Sequence, residues 1–355
     1  MALQRSRFDL TVDDVALLLD DEPSYRVDQV WDALYAQGID PATATNLSKA
    51  LRVRLAEHPA FELALRPRHE SITPNGDTVK WLWDLHDGRQ IETVLMHYRD
   101  RSTVCVSSQA GCAMGCGFCA TGQAGFDRHL TVGEILEQVV RARTTAASDN
   151  RRLSNVVFMG MGEPMANFDA VWEAVGRIHR DLGLSARNIT ISTVGLVPGI
   201  RQLAQQDLPV TLAVSLHAAN DTLRDDLVPI NRRYPIAEIV SACRAWRRAR
   251  NRRLSFEWAL IDGVNDRGQD VRELAGLAIP LGAHVNLIPL NPTPDYATPG
   301  TPPDRVAGFR DALVSAGVNA TVRRNRGTDI DAACGQLRAT VGAGSVPVAF
   351  TRLTD

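Results

Sequence analysis

The chain has 355 residues, of which 45% are hydrophobic and 23% are charged, and its formal net charge is −2 at pH 7. A chain of this composition is not disordered over most of its length, and its size fits one large domain with a smaller one. No stretch approaches the roughly 20 consecutive apolar residues that cross a bilayer, and the N-terminal segment lacks the apolar region of a signal peptide. We therefore expect a cytoplasmic protein that makes no membrane contact.

The first 100 residues divide into two parts with different periodicities. Residues 1–70 have helical spacing, with one predicted helix from Pro23 to Tyr35 and a second over Thr45–Leu55. Residues 71–100 alternate apolar and polar side chains around two turns, which predicts antiparallel β-hairpins. We expect a small helical domain over 1–70 and a β-hairpin extension over 71–100.

The remaining chain alternates short β-branched runs with helical patterns from 101 to 345, and residues 346–355 are expected to form a tail. The predicted strands are Thr103–Val106, Asn155–Met159, Asn188–Ser192, Thr211–Ser215, Leu254–Leu260 and Val285–Leu290, with a possible further strand at Ala320–Arg323. The predicted helices are Val132–Thr144, Asp169–Asp181, Val197–Gln205, Pro235–Arg250, Asp270–Leu281 and Pro303–Ala316. This alternation predicts an α/β fold with a parallel sheet, either open or curled into a partial barrel, whose ligands bind at the carboxyl ends of the strands.

Three of the six cysteines lie on one glycine-rich loop after the first strand of this alternation. Cys112, Cys116 and Cys119 have the spacing CxxxCxxC. A structural zinc site needs a fourth ligand, and no Cys or His follows at the usual spacing, since the nearest candidate is His129. Three thiolates with one open position suit a [4Fe–4S] cluster whose fourth iron binds a substrate or cofactor.

The motif strings resemble a known family. The CxxxCxxC spacing, with an aromatic residue before the last cysteine, resembles the radical S-adenosylmethionine superfamily. Within it, the chain resembles the bacterial dual-specificity RNA adenine-C2 methyltransferases. The strings that carry this resemblance, in chain order, are Val106–Phe126, Met159–Pro164, Ile191–Thr193, Ser215–His217, Asn286–Pro289 and Asp329–Leu337. The resemblance implies a partial (β/α)6 barrel with a helical accessory RNA-binding domain.

The resemblance also implies the cofactor-binding residues. The three loop cysteines would hold the [4Fe–4S] cluster, and S-adenosylmethionine would bind its open iron. The matching cofactor contacts are Gly162, Glu163, Ser192, Ser215, Leu216, His217 and Asn291. Taken singly, a Ser or Asn after a strand is more often a turn or cap residue than a ligand, and His217 alone reads as an ordinary solvated side chain.

Two more cysteines and a glutamate match reacting residues of the family. Cys334 matches the cysteine that is methylated and carries the methyl group to RNA, and Cys105 matches the thiol that resolves the protein–RNA adduct and leaves a transient disulfide with Cys334. Glu92 matches the proton acceptor. Without the resemblance, Cys334 would read as a buried small hydrophobic residue and Glu92 as a surface strand residue. We expect neighbouring cations to lower the pKa of the Cys105 thiol.

The implied reaction uses two S-adenosylmethionine molecules, one to methylate Cys334 and one to supply the radical that activates that methyl group. The implied partners are 23S ribosomal RNA, transfer RNA and an electron donor such as flavodoxin or ferredoxin, and we expect a monomer. The basic segment Ser241–Arg253 has six arginines and no acidic residue, which suits phosphate contacts, although such helix faces are usually just solvated. Two alternatives stay open, a methyltransferase specific for carbon 8 of adenine and a non-catalytic RNA adaptor that binds zinc.

Overall fold

The N-terminal part of the chain is helical, as expected. The computed structural model describes residues 5–338, so the expected C-terminal tail at 346–355 lies outside the described residues. The helices here are α1 (Val12–Leu18), α2 (Tyr25–Asp32), which continues as a π-helical turn over Ala33–Gln37, and α3 (Lys49–Glu57). The α3 helix begins later than the sequence indicated, because the Ser48 hydroxyl accepts a hydrogen bond from the Leu51 amide and caps it.

Three antiparallel strands follow: β1 (Leu65–Ile72), β2 (Thr78–Leu85) and β3 (Gln90–His97). The sequence predicted the β2–β3 hairpin but not β1, which begins five residues before the boundary expected at residue 70. The β1 strand contains Pro67, which lacks an N–H, and its pairing with β2 shifts register between Pro67 and His69. Proline is tolerated there because β1 is an edge strand with a bulge.

The part of the chain after β3 alternates strands and helices. Its strands are β4 (Ser102–Cys105), β5 (Gln109–Gly111), β6 (Phe126–His129), β7 (Leu153–Phe158), β8 (Ile189–Thr193), β9 (Thr211–Ser215), β10 (Leu254–Leu260), β11 (His284–Pro289) and β12 (Ala320–Val322). Its helices are α4 (Ala120–Gln123), α5 (Val132–Ser148), α6 (Phe168–Arg180), α7 (Val197–Ala204), α8 (Asp221–Leu227), α9 (Ile236–Arg250), α10 (Gly268–Ala278) and α11 (Pro303–Ser315). The short β5–β6 pair and α8 were not predicted, and His129 ends β6 instead of beginning a helix.

One ten-stranded sheet runs through both strand regions, in the order β1-β2-β3-β4-β7-β8-β9-β10-β11-β12. The strands from β4 onward are parallel, and β3 pairs antiparallel with β4. The six strands β4 and β7–β11 form the partial barrel, and β12 adds the further strand that the sequence suggested. This mixed α/β architecture confirms the predicted fold class. Across residues 5–338, no helix is both long enough and apolar enough to span a bilayer.

Candidate active site

A cavity opens at the carboxyl ends of the parallel strands. It encloses about 1430 Å³ of space between protein atoms, counted out to its mouth. Among the residues that line it are most of those singled out from the sequence: Cys105, Cys112, Cys116, Cys119, Gly162, Glu163, Ser192, Ser215, His217, Asn291 and Cys334. Parallel strands place their carboxyl ends at one edge of a sheet, and this is why residues more than 200 positions apart meet here.

The three loop cysteines lie between β5 and α4. Backbone amides of this loop point at their sulfur atoms, with the Met114 amide donating to Cys112 and the Gly122 amide to Cys119. Such hydrogen bonds favour thiolates, but burial has the larger effect and raises the pKa of Cys112 to about 12. A metal cation bound to these sulfurs would favour their thiolate form.

The spacing of these sulfurs bears on which metal group they fit. Among the described residues, no three Cys, His, Asp or Glu side chains converge as the ligands of one metal ion do. A four-iron cluster spaces its thiolates further apart, because each thiolate binds a different iron. The amide donors and the shared cavity suit a [4Fe–4S] cluster, which three thiolates hold with one iron left open.

Glu163 follows β7 and lies at the base of the cavity, where it is 2% exposed. Burial raises the pKa of its carboxyl to about 7, although the Val194 amide at 2.8 Å and the Met165 amide at 3.0 Å both donate to it. Gly162 has φ +99°, and a Cβ there would lie 2.5 Å from the Cβ of Gln109. The Glu163 amide donates to Gln109 Oε1 at 2.8 Å. Because Gly162 has no side chain, Gln109 can lie close enough to make this hydrogen bond, which holds the backbone of Glu163 in place.

His217 is buried, so it is not the ordinary solvated side chain that was the alternative to a cofactor contact. Its Nδ1 accepts a hydrogen bond from the Ala259 amide at 3.0 Å, and its ring meets that of Phe118 edge-on with centroids 4.8 Å apart. Burial lowers its pKa to about 3, so the ring is neutral and carries its proton on Nε2. Since His217 lines the cavity, it offers one N–H donor to a ligand.

The other expected cofactor contacts differ in whether they line the cavity. Ser192 and Ser215 line the cavity. Leu216 does not, because its side chain is fully buried, its amide donates to the Glu257 carbonyl and its own carbonyl accepts from Arg224 Nε at 3.0 Å. Asn291 donates from Nδ2 to the Cys334 carbonyl at 2.9 Å. Asn291 therefore holds the cysteine loop as well as lining the cavity.

Cys334 and Cys105 share the cavity, and both thiols are free, as are the other four. Arg323 Nη1 lies 3.8 Å from Cys334 Sγ. Burial raises the pKa of Cys105 to about 12, and the nearby Cys334 raises it further, while Arg323 acts in the opposite direction. Arg323 thus acts on the Cys105 pKa in the expected direction, but the loss of hydration outweighs it.

Glu92 lies on β3 but does not line the cavity. It is 1% exposed, forms an ion pair with Lys80 at 3.2 Å between Oε1 and Nζ, and accepts a hydrogen bond from the Arg338 amide at 3.2 Å. The surface position suggested by its strand pattern is wrong. The contacts of Glu92 thus include the Lys80 side chain and the segment that follows Cys334.

Sequence reasoning missed two polar groups of the cavity, Arg323 and Glu257, and it did not single out Lys80, which pairs with Glu92. Glu257 lines the cavity and accepts from Asn286 Nδ2 at 2.6 Å. The one sequence feature that could have identified Glu257 is its charge within the mostly apolar sequence of β10, since buried strand positions are rarely acidic.

The basic segment 241–253 lies away from this cavity. It forms the end of α9 and leads into the amino end of β10, opposite the carboxyl ends of the strands. Several of its guanidinium groups bind backbone carbonyls, as Arg250 does with Ala204 at 3.0 Å and Arg252 with Pro209 at 3.0 Å. The structure does not bring this segment to the active site.

Comparisons with known proteins agree with this site. Residues 106–277 match the family model of the radical SAM superfamily. The dual-specificity RNA methyltransferase RlmN of Myxococcus xanthus is 48% identical over 320 residues, which cover 89% of each chain. A probable dual-specificity RNA methyltransferase RlmN of Parafrankia sp. is 50% identical over 334 residues, which cover 89% of this chain and 86% of the relative. The crystal structure of a radical SAM methyltransferase from Sphaerobacter thermophilus has a TM-score of 0.91 and 48% identity, and it covers 95% of this chain and 100% of its own. The chain therefore belongs to the radical S-adenosylmethionine dual-specificity RNA methyltransferase family.

Proposed function

We propose that this enzyme methylates carbon 2 of adenine in 23S ribosomal RNA and in transfer RNA, with Cys334 as the methyl carrier. The observation that carries the proposal is the presence of Cys334 and Cys105 in the cavity that also holds Cys112, Cys116 and Cys119. Membership in a methyltransferase family removes support for the non-catalytic zinc adaptor.

The cofactors are assigned by the residues that fit them. Cys112, Cys116 and Cys119 would hold the [4Fe–4S] cluster, and the cavity wall that contains Glu163 and His217 would bind S-adenosylmethionine. Together these groups would supply one-electron chemistry that activates a methyl C–H bond. Carbon 2 of adenine is electron-poor, and a polar reaction does not methylate it. The reducing electron would come from a donor such as flavodoxin or ferredoxin.

The remaining steps belong to side chains of this protein. The Cys334 thiolate would attack the sulfonium methyl of S-adenosylmethionine, so that the sulfonium S–CH3 bond breaks and S-adenosylhomocysteine leaves. Arg323 would supply the adjacent positive charge. Glu92 would take the carbon-2 proton from the protein–RNA adduct. Cys105 would then attack the sulfur of Cys334, so that a disulfide forms as the sulfur–carbon bond breaks. The electron pair of that bond goes to the methylene carbon, which takes a proton and becomes the methyl group of the product.

RNA would enter at the mouth of the cavity. Arg324 and Arg326 line it, and guanidinium groups bind phosphate and stack on bases. We propose that the helical region 1–70 contributes an accessory RNA contact and that the enzyme acts as a monomer.

Single cysteine substitutions test the two-cysteine reaction. We expect Cys105→Ala to accumulate protein covalently joined to RNA, because no other thiol would be placed to break the Cys334 thioether. Cys334→Ala should give neither methylated protein nor adduct. Cys243→Ala is the matched control, since Cys243 is buried in the core on α9. Denaturing gels with and without ribonuclease measure the adduct, and its absence from folded, cluster-loaded Cys105→Ala would contradict the proposal.

The position of methylation needs a separate measurement. Ribosomal and transfer RNA from a strain that lacks this enzyme should contain no 2-methyladenosine after digestion to nucleosides, and the returned gene should restore it. Mass spectrometry with authentic standards separates the 2-methyl from the 8-methyl product. Loss of 8-methyladenosine instead would assign the enzyme to the carbon-8 alternative.

A further inference from the structure

Lysine is almost absent from this chain. Of its 39 basic side chains only two are lysines, Lys49 and Lys80. Lys49 is exposed at the start of α3, whereas the Lys80 side chain on β2 is 5% exposed. Burying an ammonium group is costly unless it is paired. Lys80 is therefore the one buried lysine in a chain whose other basic side chains are almost all arginines. We take this as a sign that the site requires a compact cation.

The Lys80 ammonium joins three parts of the molecule. The register of β2 with β3 pairs Lys80 with Val94 and Leu82 with Glu92, so Lys80 and Glu92 are diagonal neighbours on one face of the sheet. Lys80 Nζ lies 3.2 Å from Glu92 Oε1 and donates to the Asp331 carbonyl at 3.3 Å. Asp331 has φ +51° and precedes Cys334 by three residues.

The stability of the fold does not explain this arrangement. A fully buried ion pair contributes little or no net stability relative to apolar side chains of the same size, because both ions lose their hydration. The longer planar guanidinium of arginine presents its donors in a fixed fork, while an ammonium directs three donors from a single atom. One such atom reaches both a carboxylate of β3 and a carbonyl of the Cys334 segment.

We infer that Lys80 is a positioning residue that holds the Glu92 carboxylate in register with the segment that carries Cys334. The inference rests on the proposed function, in which Glu92 accepts the carbon-2 proton of the adduct and the electron pair of the C–H bond stays in the base. Lys80 takes no proton in this step. It fixes the direction of the acceptor and ties it to the cysteine that holds the RNA.

The inference predicts which species accumulates when Lys80 is lost. Lys80→Met keeps the length and removes the charge, so Cys334 is still methylated and RNA still attaches. Proton removal slows, because Glu92 is no longer held. We expect RNA turnover to fall at least tenfold and the ribonuclease-sensitive adduct to rise at least tenfold over the parent enzyme, as in Glu92→Gln. Lys80→Arg restores the charge and should recover part of the turnover.

Arg141→Met is the matched control for the loss of a buried ion pair. Arg141 pairs with Glu137 at 2.8 Å on α5, with side chains 13% and 0% exposed. A purely structural role for Lys80 predicts the same result in both variants, which is lower thermal stability without adduct. Adduct in Lys80→Met and Glu92→Gln but not in Arg141→Met supports the inference. A cluster-loaded Lys80→Met that loses turnover without adduct overturns it.

Two further measurements keep the test decisive. Lys80→Met removes the counter-ion of the buried Glu92, and this loss can prevent folding. In that case the double variant Lys80→Met/Glu92→Gln, which lacks both charges, is measured instead. Its turnover should equal that of Glu92→Gln alone, since Lys80 acts through Glu92, and a further tenfold loss would overturn the inference. Cys105→Ala is run on the same gel. If Cys105→Ala forms no adduct, the proposed function is refuted. If Cys105→Ala forms the adduct and Lys80→Met does not, only the role of Lys80 is refuted.

Discussion

Glu163 is a carboxyl group that the fold buries before any ligand arrives. Two backbone amides and the Thr193 hydroxyl favour its ionised form, but burial outweighs them and raises its pKa to about 7. Under the proposed function, the ionised form would accept hydrogen bonds from the amino group of S-adenosylmethionine, and the protonated form would lose that capacity at one oxygen. Cofactor binding would then depend on the charge of this single residue.

This linkage predicts a pH-dependent affinity for S-adenosylmethionine. The carboxylate is present above pH 7 and is lost as the pH falls through 7, so the affinity of the cluster-loaded enzyme should decrease by up to about tenfold per pH unit below that point. Glu163→Gln should bind at least tenfold more weakly at pH 8 and lose most of this pH dependence. Calorimetry between pH 6 and 8.5 measures both effects.

Asp169→Asn provides the control, because Asp169 is an exposed carboxylate in the first turn of α6. It should keep the parent affinity and pH profile. The same profile in Glu163→Gln as in the parent enzyme would show that another group governs binding.

The reach of sequence reasoning at the residue scale is clear from Gly162 and Leu216. Both were expected as cofactor contacts through the resemblance. The role of Gly162 depends on Gln109 lying against it, and that neighbour comes from β5, more than 50 residues away. Leu216 has its backbone groups engaged by Glu257 and Arg224. A motif marks such positions, but only the folded neighbours determine whether a residue contacts the ligand or supports one that does.

Among the secondary-structure elements, the central parallel strands were the easiest to predict. The strands β9 and β10 have the expected bounds, since both faces of a parallel sheet are covered and most of their side chains are apolar. The β1 strand was missed because Pro67 lies between two exposed arginines, Arg66 and Arg68, in its first half. Its pairing with β2, and not its own propensity, makes it a strand.

At the scale of the whole molecule, strand order joins what the sequence separates. Cys105 ends β4 and Cys334 follows β12, and these are the first and last strands of the parallel part of the sheet. Both cysteines reach the cavity because the parallel strands curl around it. Spacing rules identified the three loop cysteines, which are close in sequence. No spacing rule could place Lys80 and Glu92 under the segment of Cys334.

The helical N-terminal region also belongs to this larger unit. Its apolar side chains continue the hydrophobic core of the barrel helices without a break. Asp9 caps α5 by accepting a hydrogen bond from the Gly133 amide at 2.7 Å. The carboxylate of Glu137 on α5 accepts from the Ala64 amide at 2.7 Å. These buried polar contacts would be left unpaired if the two parts separated, which couples their unfolding.

Arg177 on α6 tests this coupling. Its side chain is 4% exposed, and its Nη1 donates to the carbonyls of Phe8 at 3.1 Å and Leu10 at 2.7 Å. Arg177→Met leaves both carbonyls without these donors and should cost about 3 kcal/mol of unfolding free energy. Because the core is shared, we expect the midpoint of thermal unfolding to fall in a single transition, with near-ultraviolet circular dichroism and cluster absorbance lost together.

Arg180→Met is the control on the same helix, since the Arg180 side chain is 64% exposed, and it should change stability by less than about 0.5 kcal/mol. An Arg177→Met protein that unfolds in two steps, with the cluster retained through the first, would instead show that residues 1–70 form a domain with its own stability.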